Sequence, residues 1–269
     1  MTNDNPSPVS CRRDTRGVAT VTLERPGKHN AFDDGMIRLL REHFERLAAD
    51  TSVRVVVLAA EGKSFSAGGD LAWMQRMADY DYDANLEDAR DLAHMLKALK
   101  QLPQPSIARV QGSAFGGAVG LICCCDIAIG ADTARFGLTE TRVGLIPATI
   151  GPHVVEALGS RWTRRLFLTA ERIDASVATR IGLLHESCPA DALDERVEQM
   201  IAMLMANGPE AMRDAKQLCA DLLYQPLDAA VIEDTSARIA RQRVGSEGQE
   251  GLQAFLAKRS PAWTSGGIE

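Results

Sequence analysis

Two glycine-rich stretches and one glutamate are the residues of this chain best suited to chemistry. Residues 62–71 (Gly62-Lys63-Ser64-Phe65-Ser66-Ala67-Gly68-Gly69-Asp70-Leu71) follow a strongly apolar segment and read as a loop leaving a strand. Small residues there let backbone N–H groups approach a ligand closely, although a tight strand-to-helix turn would use the same residues. Residues 111–120 (Gln111-Gly112-Ser113-Ala114-Phe115-Gly116-Gly117-Ala118-Val119-Gly120) repeat the arrangement and open an apolar helix. Neither loop carries G-x-G-x-x-G, a Gly-Lys-Ser/Thr ending or G-x-S-x-G, which excludes a dinucleotide loop, a phosphate loop and a nucleophile elbow. What remains is a glycine-lined helix N-terminus, whose free N–H groups and positive dipole end stabilise a developing oxyanion. Two such loops predict two donors converging on one oxygen without a nucleophilic Ser or Cys. That suits thioester chemistry, in which an enolate forms as the α-carbon loses or gains a proton. The third stretch, residues 136–147, holds Glu140 in largely uncharged surroundings, which raise a carboxyl pKa and fit a general acid or base. A lone loop glutamate such as Glu140 is more often a surface or capping residue; only the company of the glycine loops singles it out.

These stretches need elements to position them. Residues 18–24 alternate and residues 53–60 form a near-continuous apolar run, so both predict strands, with 106–110 and 124–129 as shorter candidates. Asp33 predicts the N-cap of a helix with Met36, Ile37, Leu40, Phe44 and Leu47 on one face; Leu86, Ala89, Ala93, Leu96 and Leu99 repeat likewise before Pro103. Strand followed by helix, repeated, predicts parallel pairing with crossover helices and an α/β class. Beyond about Asp191 the pattern is helical. Val197, Met200, Ile201 and Leu204 form one stripe, and Pro209 opens a helix carrying Met212, Ala215, Cys219 and Leu222. A third amphipathic run spans residues 227–239, and Ser246-x-x-Gln249 matches a capping box ahead of Leu252, Phe255 and Leu256. Such helices bury little among themselves and are expected to pack on the core or on another subunit. The division expected is a disordered lead-in over 1–15, a core over 16–190 and a helical region over 191–269.

Composition narrows the partners. The 269 residues are 45% hydrophobic, yet no window approaches the roughly 18 apolar residues of a membrane span. A net charge of −6 and basic groups no longer than Arg161-Trp162-Thr163-Arg164-Arg165 argue against nucleic acid. Three of the six cysteines (Cys123, Cys124, Cys125) are consecutive in an apolar run, which suits buried reduced thiols. The five histidines never fall three or four residues apart, so no metal site is expected. The N-terminus lacks a charged segment followed by an apolar one, and a reducing, cytoplasmic setting is expected.

Taken together the motifs resemble the enoyl-CoA hydratase/isomerase (crotonase) family, in order from about Val18 to the C-terminus. Leu23-Glu24-Arg25-Pro26-Gly27-Lys28-His29-Asn30-Ala31 is similar to the family's first motif. Ser66-Ala67-Gly68-Gly69-Asp70-Leu71 and Ala114-Phe115-Gly116-Gly117 are similar to its two oxyanion loops, and Cys125-Asp126-Ile127 with residues 136–147 completes the set. The resemblance implies a spiral of ββα turns followed by a helical trimerisation region, with trimers commonly paired into hexamers. It implies that the Gly69 and Gly117 N–H groups hold a thioester oxygen and that Glu140 moves protons. Lys28, His29, Ala31, Ala67, Asp70 and Leu71 would line the coenzyme A path, and Phe255 and Lys258 would reach the coenzyme A of a neighbouring subunit. No separate cofactor is implied, because coenzyme A is part of the substrate.

Two departures stand out. Family members that hydrate bracket the water with two glutamates, one corresponding to Glu140 and one at the position held here by Gly120. Residues 146–155 are also bulkier than the glycine-rich loop of most relatives, which should reshape the acyl pocket. These departures are most similar to bacterial 3-methylglutaconyl-CoA hydratases of leucine breakdown, with isohexenylglutaconyl-CoA hydratases close behind. The resemblance then implies a substrate with a second carboxylate, and Arg142 or His153 as the candidate cation to meet it. A double-bond isomerase needs only one proton shuttle and is the nearest alternative; a non-catalytic acyl-CoA-binding subunit is another.

Overall fold

The computed structural model describes residues 7–264, and its strands fall into two sheets. The larger contains, in spatial order, β1 (Val9–Arg13), β2 (Val18–Leu23), β3 (Val55–Ala60), β5 (Ser106–Val110), β7 (Ile127–Ala131) and β10 (Glu186–Cys188). The smaller contains β4 (Ser64–Ser66), β6 (Ser113–Phe115), β8 (Arg135–Gly137) and β9 (Arg172–Asp174). All pairs are parallel except β1 with β2 and β8 with β9. Three times a strand of the larger sheet is followed by a short strand of the smaller one and then by helix. After β4 come α2 (Leu71–Asp79) and α3 (Tyr82–Lys100), after β6 comes α4 (Gly117–Cys124), and after β8 comes α5 (Gly151–Thr169). These are the ββα turns of a crotonase-type α/β fold. Between β2 and β3 runs α1 (Asp34–Ala49), and α6 (Ala175–Arg180) follows β9.

Burial explains the patterns. Every residue of β3 is buried, because the larger sheet is covered on both faces. Val56 and Leu58 join the main core, while Val55 and Val57 meet Leu193, Val197 and Ile201 of α7 (Leu193–Met205) on the other face. Asp33 caps α1 by accepting from the Met36 N–H at 2.9 Å, and the five predicted apolar residues of that helix are all buried. In α3 only Met95, Leu96 and Leu99 are buried, so the stripe predicted from Leu86 onward is covered only in its last turns.

Three expectations need correcting. The lead-in expected to be disordered over 1–15 contains β1, paired antiparallel with β2 from Val9 to Arg13; residues 1–6 lie outside the described residues. The strand expected over 124–129 begins only at Ile127, because Cys123 and Cys124 end α4 and the chain turns at Asp126. The capping box at Ser246 does not form: α10 (Ser246–Leu256) starts at Ser246 with Gly245 as its cap. Its neighbour Glu247 instead caps another helix, α8 (Pro209–Leu222), accepting from the Glu210 and Ala211 N–H groups at 2.9 and 2.8 Å. A side chain at Gly208 would collide with that carboxylate.

The helical region docks at the N-terminal ends of the parallel strands. Arg213 of α8 donates to the Thr51 and Val53 carbonyls ahead of β3, and Lys216 bonds Gln104 O and Asp126 Oδ2 ahead of β5 and β7. From β3's side, Arg54 donates to the carbonyls of Met205, Asn207 and Trp263 at 2.9–3.1 Å. Charge-assisted bonds to three carbonyls, two of them partly buried, should matter: Arg54→Ala is expected to lower stability by about 2 kcal/mol, read as a lower urea midpoint at unchanged slope. Neither α8 nor α9 (Ala229–Val244) has a buried residue. No described helix is long and apolar enough to cross a membrane.

Candidate active site

Because β4, β6 and β8 lie side by side and run parallel, the chain leaves all three from one edge. The segments leaving are the Gly68-Gly69 loop, the Gly116-Gly117 turn and the turn carrying Glu140. The C-terminal ends of parallel strands are where α/β proteins commonly bind ligands. Three stretches far apart in sequence thereby occupy equivalent places in successive turns of the fold.

Phe32 joins the first two. Its N–H donates to Gly68 O and its carbonyl accepts from the Asp70 N–H, both at 2.7 Å, while its buried ring lies against Gly117. In that parallel bridge Gly68 O and the Asp70 N–H turn toward Phe32, so the Gly69 N–H between them turns away. The two loops also touch directly: a Cβ on Gly68 would stand 2.9 Å from Phe115 O. Gly116, at φ +55°, donates its N–H to Gly137 O and precedes α4, leaving Gly117 as the first helical residue. Among the described residues neither the Gly69 nor the Gly117 N–H donates to another loop or turn acceptor. A helix start leaves such groups without intrahelical partners.

Glu140 stands over this helix start. Its Oε1 lies 3.2 Å from the place a Cβ on Gly116 would occupy, and its Oε2 is buried with no hydrogen-bond partner among the described residues. Burial pushes its carboxyl above the ordinary glutamate value, partly countered by a hydrogen bond from its own backbone. The short turn Glu140–Val143 is pinned to α5 and the segment after it by Thr141 Oγ1 donating to Phe167 O and Arg142 Nη2 donating to Ala170 O. A carboxylate raised by burial beside backbone donors can exchange protons with a bound molecule.

The other predicted residues cluster around the first loop. Asn30, fully buried, accepts from the Arg25 N–H and donates to Glu61 O and Ser64 O, fastening the first motif to that loop; the Ala67 N–H donates to His29 O. Ala31 is buried beside them, and His29 Nδ1 lies 3.1 Å from Ser64 Oγ. Asp70 is buried rather than lining an open path. It caps α2 through the Ala72 and Trp73 N–H groups and holds Lys28 Nζ at 2.8 Å and Arg25 at 3.3 Å. The Lys28 bond leads in holding its carboxyl below the ordinary value. Lys28 is half exposed and Leu71 largely exposed. Phe255 and Lys258 are exposed on and just after α10, which packs on α8 and α9; among the described residues no hydrogen bond or ion pair links them to the glycine loops.

Gly120 is more than an absent glutamate. A Cβ there would stand 2.3 Å from Ile150 Cγ2, so the buried Ile150 fills the space in front of it. Of the two candidate cations, Arg142 is exposed and engaged with Ala170 O, and His153 is half-buried with its pKa pushed down by burial and by nearby Lys100. Among the described residues no group of three His, Cys, Asp or Glu side chains is arranged as a metal site. Burial pushes the Cys123 thiol up to about 12, as suits an inert core thiol.

The fold and the site define an α/β enzyme in which two glycine loops and one carboxylate meet at the ends of parallel strands. The chain belongs to the enoyl-CoA hydratase/isomerase family, whose model matches residues 13–266. It is 45% identical to an enoyl-CoA hydratase from Shewanella pealeana ATCC 700345, whose crystal structure superposes with a TM-score of 0.92 over 96% of this chain and 97% of that one. The 2,3-dehydroadipyl-CoA hydratase of Escherichia coli K12 is 30% identical over 91% of this chain and 94% of its own length. The trans-2-decenoyl-(acyl-carrier-protein) isomerase of Streptococcus mutans is 28% identical over 92% of this chain and 95% of its own. The chain is thus an enzyme of the enoyl-CoA hydratase type, with hydratase/isomerase chemistry on an acyl-CoA thioester.

Proposed function

We propose that the enzyme adds water to a branched 2-enoyl-CoA, with 3-methylglutaconyl-CoA to 3-hydroxy-3-methylglutaryl-CoA, a step of leucine degradation, as the favoured reaction and the isohexenyl analogue as the next. The observation that carries the reading is Glu140, a half-buried carboxylate whose buried Oε2 has no partner among the described residues, over the start of α4. The thioester oxygen accepts from the Gly69 and Gly117 N–H groups. Water attacks the β-carbon as Glu140 takes its proton, the electrons moving onto that oxygen as an enolate. Glu140 then returns the same proton to the α-carbon, and the elements of water have been added to one face. One carboxylate suffices for this cycle, and a raised pKa favours the return step.

Coenzyme A would run along Lys28, His29, Ala31, Ala67 and Leu71, with Asp70 holding Lys28 in place. Exposed Leu227, Ile232, Ile239, Val244, Phe255 and Leu256 on the helical region support assembly into trimers or paired trimers, in which Phe255 and Lys258 would serve a neighbouring copy. The Escherichia coli relative, named for a dicarboxylic enoyl thioester, supports a second carboxylate on the substrate. Turnover of 3-methylglutaconyl-CoA and its isohexenyl analogue in water enriched in heavy oxygen tests the reaction. The expected product is an alcohol carrying one solvent oxygen; a migrated double bond without label would make the enzyme an isomerase.

A further inference from the structure

The helix that follows Gly69 is capped by Asp70 and sends a single buried side chain into the protein. Of the nine residues of α2, only Trp73 is buried. Its ring atom Cε3 lies 3.6 Å from the position a Cβ on Gly69 would take, alongside Met74 Cγ at 3.4 Å. At its polar end the indole N–H donates to Asp88 Oδ1 at 2.9 Å, across the gap between α2 and α3. Asp88 is half-buried and makes no ion pair among the described residues; Arg76, which faces it, is held by Asp34 at 2.5 Å. Burial and the neighbouring Asp34 and Asp91 push its carboxyl above the ordinary value, against the indole hydrogen bond, which favours the charged form. Phe32 holds the backbone on both flanks of Gly69, through Gly68 O and the Asp70 N–H, and Trp73 and Met74 pack where a Gly69 side chain would stand.

We infer that Trp73 and Asp88 are a positioning pair: Asp88 locks the indole, and the indole sets the Gly69 amide as a donor to the thioester oxygen. The inference rests on the reading of Gly69 given above. An oxyanion donor acts through its placement, and a shift of about 1 Å in such a group can lower a rate by about two powers of ten. Asparagine at 88 keeps an acceptor for the indole N–H, whereas alanine does not.

The test compares Asp88→Ala, Asp88→Asn and Trp73→Phe with the wild-type enzyme in two measurements. One is steady-state turnover of the enoyl-CoA substrate. The other is the red shift of bound 4-(dimethylamino)cinnamoyl-CoA, a poorly hydrated chromophore that reports polarisation of its thioester carbonyl. Asp88→Ala and Trp73→Phe are expected to lose about tenfold in kcat with KM within about twofold, and to lose much of the red shift; Asp88→Asn should retain both. Should Trp73→Phe fail to fold, the Asp88 pair still decides. A wild-type red shift that survives Asp88→Ala with kcat unchanged would overturn the positioning role alone. A wild-type complex with no red shift would overturn the donor role of Gly69, and the positioning pair with it.

Discussion

Glu140→Gln should lower kcat for an enoyl-CoA by about 10²–10⁴-fold, the usual range for loss of a general acid–base group, with KM little changed. Glutamine keeps the shape of the carboxylate over Gly116 but can neither take a proton from water nor give one to carbon. The same substitution should raise stability near neutral pH. The folded carboxyl titrates above the ordinary 4.5 because burial disfavours its charge. Between 4.5 and that raised value the folded state binds more protons than the unfolded one, so stability falls as pH rises through the window. The penalty is absent below 4.5 and complete above the folded pKa. Glutamine does not ionise. Thermal scans of both proteins should therefore coincide in acid and separate as pH rises, the variant melting higher. Curves that stay parallel would show that Glu140 is not charged at a cost. Activity carries the same sign: the acid limb of kcat/KM should lie above the range of an exposed glutamate. A fully active Glu140→Gln enzyme would end the proposed cycle.

The signals this sequence carries are mostly local. Asp33 and its five-residue stripe announced α1 because cap and periodicity agree, and the near-continuous apolar run over 53–60 announced β3 as a strand. The glycine loops and Glu140 were visible as motifs, yet their meeting depends on β4, β6 and β8 being neighbours, and strands of three residues carry almost no signal. Likewise β1 was hidden by its single-sided pairing at a sheet edge. The run through Cys123 and Cys124 is uniformly apolar, so periodicity could not separate helix from strand. At Ser246 the predicted cap is lost because the helix begins one residue earlier, on Gly245, and the Gln249 amide donates to Arg243 O. Phe32 stands just before the Asp33 cap, a position that often holds a packed apolar residue, which would have predicted its burial but not its hold on two loops. The contacts of Ile150 with Gly120 and of Trp73 with Asp88 join separate elements, and no spacing rule reaches them.

The Ile150 contact supports the second large prediction. A methyl group at Gly120 would stand 2.3 Å from Ile150 Cγ2 and 2.8 Å from its Cβ, inside the distance that real Cβ atoms keep. Ile150 is β-branched and buried, and so has few rotamers to escape into. Gly120 lies in a helix whose next residues are all buried, so α4 cannot move away cheaply either. Gly120→Ala should therefore destabilise by about 3 kcal/mol, the upper part of the usual overpacking range. Ile150→Ala, which opens a cavity, should cost roughly 2–5 kcal/mol by itself. Combined, the two should destabilise less than their sum by about 1–3 kcal/mol, because the added methyl enters the space the isoleucine leaves. Urea melts of the four proteins measure that coupling, and an additive result would mean that the contact is not the constraint. The consequence for chemistry is direct. A glutamate introduced at 120 cannot reach the site while Ile150 stands before it, so packing as well as composition leaves Glu140 to work alone.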